Sequence, residues 1–184
     1  MRSVIPFLAL LPLAVVQTVQ AQSPFWSAAE SGELDTLFAR LADASDEAEA
    51  RSTADAIWII WTRPDNEEAA ARVAEIIEKA GFGGPATQLP LIEGLVADFP
   101  DYPEAWNMRA TARFLRGDND GALADIAETL KREPRHFGAL AGRALILDSQ
   151  GKGEPALSAM RAALAVHPFL PERQLFPELA GNSL

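Results

Sequence analysis

A fixed step of 34 residues runs through the second half of this chain. Three glycines keep this step, and so do three prolines: Gly83, Gly117 and Gly151, and Pro100, Pro134 and Pro168. Further pairs keep it as well: Ala122 with Ala156, Leu130 with Leu164, and Arg109 with Arg143. A step of this length, with Gly and Pro between stretches rich in Ala and Leu, predicts helical hairpins that stack on one another. Because no stretch alternates apolar and polar residues over several positions, we expect an all-α fold.

Caps, breakers and apolar spacing divide the chain into eight predicted helices. They are expected over 34–44, 46–62, 67–80, 86–99, 103–116, 120–132, 137–150 and 154–166, with Ser45 as the N-cap of the second. In each repeat the glycine is expected in the turn between the two helices, where a positive φ is often needed. Ala122 and Ala156 are expected where the paired helices approach most closely, and each proline is expected to end the second helix. Trp106 and Leu140 are expected to fill the hairpin cores.

The stretch 103–134 (PEAWNMRATARFLRGDNDGALADIAETLKREP) resembles the tetratricopeptide repeat (TPR) family. It carries the residues of the family pattern at the matching offsets: Trp106, Gly117, Asp118, Ala122 and Pro134. The following stretch repeats the pattern with Leu140, Gly151, Ala156, Ala163 and Pro168. The chain as a whole is similar to exported bacterial TPR proteins. The resemblance implies antiparallel helix hairpins stacked as a short right-handed superhelix, with about four hairpins and a C-terminal cap.

The same register predicts the domain organisation. Residues 22–102 are expected to form divergent hairpins, 103–136 and 137–170 two TPR repeats, and 171–184 a C-terminal cap or tail. Within the divergent part, 69–102 is interpreted as a degenerate repeat, since Gln88 replaces the close-contact alanine. The hairpin over 35–68 is interpreted as a diverged repeat or an N-terminal cap, with Trp58 and Trp61 in the core.

Residues 1–21 are predicted to be a signal peptide. A positive Arg2 precedes an uncharged apolar run over 4–16, and cleavage is expected after Ala21. The apolar run is shorter than the ~20 residues that a transmembrane helix needs. We therefore expect Sec-type export, a periplasmic or secreted location, and no membrane span after cleavage. An uncleaved signal anchor is the alternative.

Composition excludes several functional classes. The formal net charge of −10 argues against a nucleic-acid binder, which needs a basic face. The chain has no cysteine, so thiol nucleophiles, zinc–thiolate sites and lipobox anchors are excluded. The two histidines, His136 and His167, have no metal-binding motif around them, and no catalytic constellation is visible. We expect no metal, no cofactor and no enzymatic activity.

In the TPR family, the first helix of each hairpin lines a concave groove that binds peptide segments. Carried over by resemblance, the groove residues are Glu104, Asn107, Thr111, Phe114, Arg135, His136, Leu145 and Asp148. The alternative is that they form an ordinary solvated face.

Arg109 and Arg143 occupy positions where the family usually has leucine. Because a buried guanidinium needs partners, and Asp125 lies between the two arginines in chain order, we predict an internal bridge Arg109–Asp125–Arg143. The alternative is that the arginines reach the groove and hold a partner carboxylate.

The expected function is that of a periplasmic TPR scaffold or adaptor, which binds a protein or peptide partner of the cell envelope through the groove. The alternative is a structural or self-associating subunit of a cell-envelope complex with no separate peptide ligand, in which the tail or a second copy fills the groove.

Overall fold

The computed structural model describes residues 25–179. This part of the chain contains eight α-helices and no β-strand: α1 Ala28–Ala42, α2 Glu47–Thr62, α3 Glu67–Ala80, α4 Leu89–Asp98, α5 Pro103–Leu115, α6 Asn119–Arg132, α7 Phe137–Ser149 and α8 Gly153–Val166. The all-α prediction is confirmed. The predicted signal peptide and the end of the tail, 180–184, lie outside the described residues.

Helix starts follow the capping side chains. Helix α1 begins at Ala28, earlier than predicted, because Ser27 and Glu30 form a capping box that the apolar spacing alone did not indicate. Ser27 Oγ accepts from Glu30 N at 3.1 Å, and Ser27 N donates to Glu30 Oε2 at 2.8 Å. The N-cap of α2 is Asp46 rather than Ser45, since the Asp46 carboxylate accepts from Glu49 N at 2.9 Å.

The 34-residue step reappears as one hydrogen-bond pattern in the turns that follow α4, α6 and α8. In these turns Tyr102 N donates to Phe99 O at 3.0 Å, His136 N to Glu133 O at 3.1 Å, and Leu170 N to His167 O at 3.1 Å. The three donor residues are all buried. The repeated turn geometry therefore extends back to α4, which belongs to the degenerate repeat.

The turns within the hairpins are regular only in the last two repeats. Gly117 and Gly151 have φ values of 82° and 71°, as their turn position requires. Gly83 also lies in the turn between its two helices, α3 and α4, but its φ is not positive. Between α3 and α4 the positive φ angles belong to Gly81 and Gly84, and two short 3-10 turns, Gly81–Gly83 and Pro85–Gln88, delay the start of α4.

The hairpin cores are filled by small and aliphatic residues. Ala122, Ala156 and Leu140 are buried, as expected. Trp106 is only partly buried, which corrects the prediction that it fills the core. Its Nε1 donates to Pro100 O at 2.9 Å, and the guanidinium carbons of Arg109 and Arg132 lie 4.8 and 4.7 Å from the ring centroid.

The N-terminal hairpin, α1–α2, packs against the inter-repeat turns. The Trp61 ring stacks on His136 with centroids 3.9 Å apart, and the Tyr102 hydroxyl donates to Trp61 O. Helix α1 also contacts α8. The hairpins therefore do not form a strictly linear stack in which each one touches only its neighbours. Within 25–179, no helix is both long and apolar enough to cross a membrane.

Candidate binding groove

A groove with a cavity volume of about 260 Å³ lies between α5 and α7. Four of the predicted groove residues line it together: Asn107, Thr111, Phe114 and Leu145. Its other lining residues are mostly small or apolar: Ala110, Ile126, Gly138, Ala139, Ala141, Gly142, Ile146 and Glu172. We call this set the α5–α7 groove.

Helical spacing explains why these side chains converge. Asn107, Thr111 and Phe114 lie on one face of α5, and Gly138, Ala141 and Leu145 on one face of α7, because residues three or four apart share a helix face. Asn107 Nδ2 donates to both carboxylate oxygens of Glu104, at 3.1 and 3.2 Å, which fixes the orientation of the amide. The groove thus combines an oriented amide with a small, apolar floor.

Glu104 and His136, also predicted in the groove, are instead buried and bonded to each other. Glu104 is 4% exposed and His136 is fully buried. His136 Nδ1 accepts from Ala139 N at 3.1 Å as the N-cap of α7, so its Nε2 donates to Glu104 Oε2, 2.9 Å away. Trp61 of α2 stacks on His136, and the buried Glu104 binds His136, so the structure corrects their assignment to a solvent-facing groove.

Arg135 and Asp148 also lie outside the groove lining. Arg135 holds α1 in place, with Nη1 2.6 Å from Asp35 Oδ1 and the guanidinium carbon 4.2 Å from the Phe38 ring centroid. A second ion pair joins Arg135 Nε to Glu133 at 3.0 Å. Asp148 is exposed near the end of α7. The prediction of Arg135 as a groove residue is therefore corrected to a contact within the fold.

The predicted bridge has a different second arginine. Arg109 binds the buried Asp125 carboxylate in a bidentate manner, at 2.9 and 2.7 Å, and this hydrogen bonding raises the pKa of Arg109. The other cation is Arg113, whose Nη1 lies 2.8 Å from Asp125 Oδ2. Arg143 is exposed on α7, so the predicted Asp125–Arg143 contact is wrong. The observed bridge joins α5 to α6 within one hairpin.

A second cavity, which the sequence did not predict, adjoins the groove. It has a volume of about 230 Å³ and lies between α2, the start of α7 and the segment after α8. Its lining residues are Glu47, Arg51, Ala54, Asp55, Trp58, Phe137, Gly138, His167, Phe169, Leu170, Pro171 and Glu172. We call it the α2–α7 pocket. Gly138 and Glu172 line both cavities, so the groove and the pocket meet there.

One sequence signal for this pocket is the glycine near the start of α7. A Cβ atom on Gly138 would lie 3.0 Å from two ring carbons of Trp58, so glycine permits the close approach of α2. The 34-residue period does not predict the pocket, because α2 and α7 belong to hairpins that are not consecutive in the sequence.

The tail packs mainly as a cap. Phe176 and Leu179 are 3% and 6% exposed and belong to the hydrophobic core. Of the tail residues from 171 to 179, Glu172 is the one that lines the groove. Across the described residues, no cluster of three or more histidine or acidic side chains is suited to hold a metal ion.

The paired helices, the repeated turns and the groove define a helix-hairpin repeat protein with a candidate peptide-binding surface. No family model matches the chain. A protein of Rhizobium etli named as TPR repeat-containing is 33% identical to it over 199 aligned positions, which cover 95% of this chain and 94% of that protein. The chain belongs to the TPR repeat-containing proteins, which are generally non-enzymatic scaffolds that bind other proteins.

Proposed function

We propose that this protein is an exported scaffold that binds an extended segment of a partner protein in the α5–α7 groove. The observation that carries the proposal is the convergence of Asn107, Thr111, Phe114 and Leu145, from two successive repeats, on one cavity of about 260 Å³. A cavity of this size accommodates one or two side chains, and the groove continues into the α2–α7 pocket.

The chemistry of the groove suits a peptide. Gly138, Ala141 and Gly142 leave room for a backbone to approach α7, while Phe114 and Leu145 offer apolar contact. The Asn107 amide, held by Glu104, has its carbonyl oxygen available to accept from a peptide N–H. Such a mixture of apolar and oriented polar groups is typical of surfaces that bind peptides.

Site-specific photocrosslinking tests this function in cells. A photoreactive amino acid replaces Thr111 in the groove or, as the control, the exposed Lys131 on α6. We expect a discrete partner adduct from position 111 only, and its loss when Phe114→Ala is added to a protein that still folds. Equal adducts from both positions would contradict binding in the groove. An adduct consisting of two copies of this chain would favour the self-associating alternative.

We also propose that the protein works in the periplasm. The predicted signal peptide supports this location, and it makes a definite expectation for the mature N-terminus. Mass spectrometry of the protein isolated from a periplasmic fraction should give a chain that begins at Gln22. A full-length chain that remains with the cytoplasm would exclude the proposed location without affecting the groove.

A further inference from the structure

The α2–α7 pocket contains two polar groups whose hydrogen-bonding capacity is unused by the described residues. His167 is 4% exposed, and its Nδ1 is buried without a hydrogen-bond partner. Glu172 Oε2 is likewise buried without a partner, although the rest of the side chain is partly exposed. Both residues line the pocket. A buried polar atom without a partner is unfavourable. Glu172 Oε2 is an acceptor, and His167 Nδ1 is one when the neutral ring carries its proton on Nε2, so a ligand that donates to both groups would be stabilised here.

The charged residues around the pocket favour a cation. Glu47 and Arg51 neutralise each other through an ion pair of 2.7 Å. Asp55 forms no ion pair with any described residue, and neither does Glu172, so the lining keeps two uncompensated carboxylates. Burial lowers the pKa of His167, which favours the neutral form of the ring.

The walls suit the aliphatic stem of a long side chain. Trp58, Phe137, Phe169 and Leu170 are the large apolar residues of the lining. The Trp58 ring is only partly buried, and a tryptophan face is the aromatic surface that attracts cations most strongly. Lysine and arginine combine an apolar stem with a cationic head that donates several hydrogen bonds, and they match both halves of this pocket.

We propose that the α2–α7 pocket binds a basic side chain, lysine or arginine, of a partner segment that lies in the α5–α7 groove. The inference rests on the proposed function: Gly138 and Glu172 line both cavities, so a segment bound in the groove would pass the mouth of the pocket at these two residues. The cationic head donates to Glu172 Oε2 and His167 Nδ1, with Asp55 nearby, and the stem packs on Trp58 and Phe137. The partner segment is therefore basic at this position.

Titrating the full ¹⁵N-labelled protein with capped amino acids tests the pocket directly. The probes are N-acetyl-L-lysine methylamide, its arginine counterpart, and N-acetyl-L-norleucine methylamide, which has a similar stem without the charge. We expect saturable shifts of the Trp58 indole N–H and the Gly138 amide with either cationic probe, and smaller, unsaturated shifts with norleucine. Equal responses to norleucine and lysine, or no response to either cation, would overturn the proposal.

Two matched variants separate a local contact from a general charge effect. Glu172→Gln should weaken binding of the cationic probe by about fivefold or more. Glu178→Gln removes the same charge from an exposed position in the same tail and should change the affinity less than about twofold. Because Glu172 has an unpartnered oxygen, its substitution should not lower Tm. Equal weakening by the two variants would overturn the assignment. If Glu172→Gln fails to fold, Asp55→Asn replaces it, and unchanged probe binding by Asp55→Asn would likewise overturn the assignment.

This test can fail separately from the proposed function. Loss of the Thr111 adduct in Phe114→Ala, with no binding of cationic probes, would keep the groove and remove the basic-side-chain pocket. Saturable binding of the probes without any adduct at position 111 would keep the pocket and remove the groove.

Discussion

At the scale of single residues, Asp125 illustrates how a buried charge is stabilised within one hairpin. Its side chain is 2% exposed and receives three hydrogen bonds, two from Arg109 and one from Arg113. A carboxylate in this position is stable only while both arginines remain, because an unpaired buried charge is strongly unfavourable. The arginines themselves are 16% and 25% exposed, so water can partly solvate them when the carboxylate is removed.

Replacing Asp125 by alanine should therefore destabilise the protein moderately. We expect Asp125→Ala to lower the free energy of unfolding by ~2–3 kcal/mol and Tm by about 4–10 °C, measured by thermal unfolding followed by circular dichroism. Arg143→Ala is the matched control, since Arg143 lies one repeat after Arg109 but is exposed. An effect of Arg143→Ala as large as that of Asp125→Ala would contradict the observed pairing.

His167 makes the stability of the fold depend on pH. Burial holds its pKa below the ordinary value of 6.5, so the unfolded chain binds a proton at a higher pH than the folded chain does. Its contribution to stability is then fully present above pH 6.5 and is lost as the pH falls through the lowered pKa. We expect Tm to fall between pH 7.5 and 5.5, and to fall less in His167→Gln. Parallel pH profiles for the two proteins would contradict this role; His136 is present in both and cancels in the comparison.

At the scale of elements, the N-terminal hairpin is held by aromatic contacts with the repeat turns. Trp58 contacts His136 and Phe137 edge to face, with ring centroids 5.6 Å apart in both pairs, and Trp61 stacks on His136. This approach depends on the absence of a side chain at Gly138, where a Cβ would lie 3.0 Å from the Trp58 ring. The contact between α2 and α7 is therefore sensitive to one small residue.

Gly138→Val should displace α2 from α7 without unfolding the repeats. We expect faster hydrogen exchange in α1 and α2 and little change in α6, with a loss of ~1–3 kcal/mol in stability from overpacking. The control is Gly142→Ala on the same helix, where the added Cβ would meet only Ile126 at 3.7 Å. Gly142→Ala should be neutral or stabilise by up to ~1 kcal/mol, because alanine favours the helix. Unchanged exchange in α2 of Gly138→Val would show that the hairpin does not depend on this approach.

At the scale of the whole molecule, local rules predict most of the fold. Of the eight residues that they predict in the groove, four line it. The positions of Gly117, Ala122 and Pro134 follow from backbone sterics and helix packing, which act within one repeat and recur with it. Asn107, Thr111, Phe114 and Leu145 share a groove for the same reason, since helical spacing places them on facing surfaces. These features need no knowledge of distant contacts.

The errors concern residues whose surroundings come from far along the chain. The family pattern predicts Glu104 and His136 in a groove, since a regular stack leaves the first helices open on that side. Instead, Trp61, 75 positions before His136 in the sequence, stacks on the His136 ring, and the buried Glu104 is hydrogen-bonded to His136. The sequence does not predict the α2–α7 pocket for the same reason, because the pocket requires α2 to lie beside His167 and Glu172. The 34-residue period describes contacts between neighbouring repeats. It contains no information about the contacts that the α1–α2 hairpin makes with distant parts of the chain.

The same folding-back makes a prediction about cooperativity. In a linear array of hairpins, a destabilising substitution at one end has little effect on the stability of the other end, since each repeat contacts only its neighbours. Here α1 contacts α8, and Phe176 belongs to the core that also contains Trp61. Phe176→Ala, at a site only 3% exposed, should cost ~3–5 kcal/mol and lower the urea midpoint of the whole molecule.

The urea midpoint can be followed by tryptophan fluorescence, to which Trp58 and Trp61 in α2 contribute, and by circular dichroism in parallel. The two signals should shift together, whereas Leu175→Ala, at the adjacent residue that is 64% exposed, should leave both within about 0.5 kcal/mol of the parent. A fluorescence transition that stays in place while the circular dichroism transition moves would mean that the N-terminal hairpin unfolds independently, and that its contacts with the repeat turns do not couple the two ends of the protein.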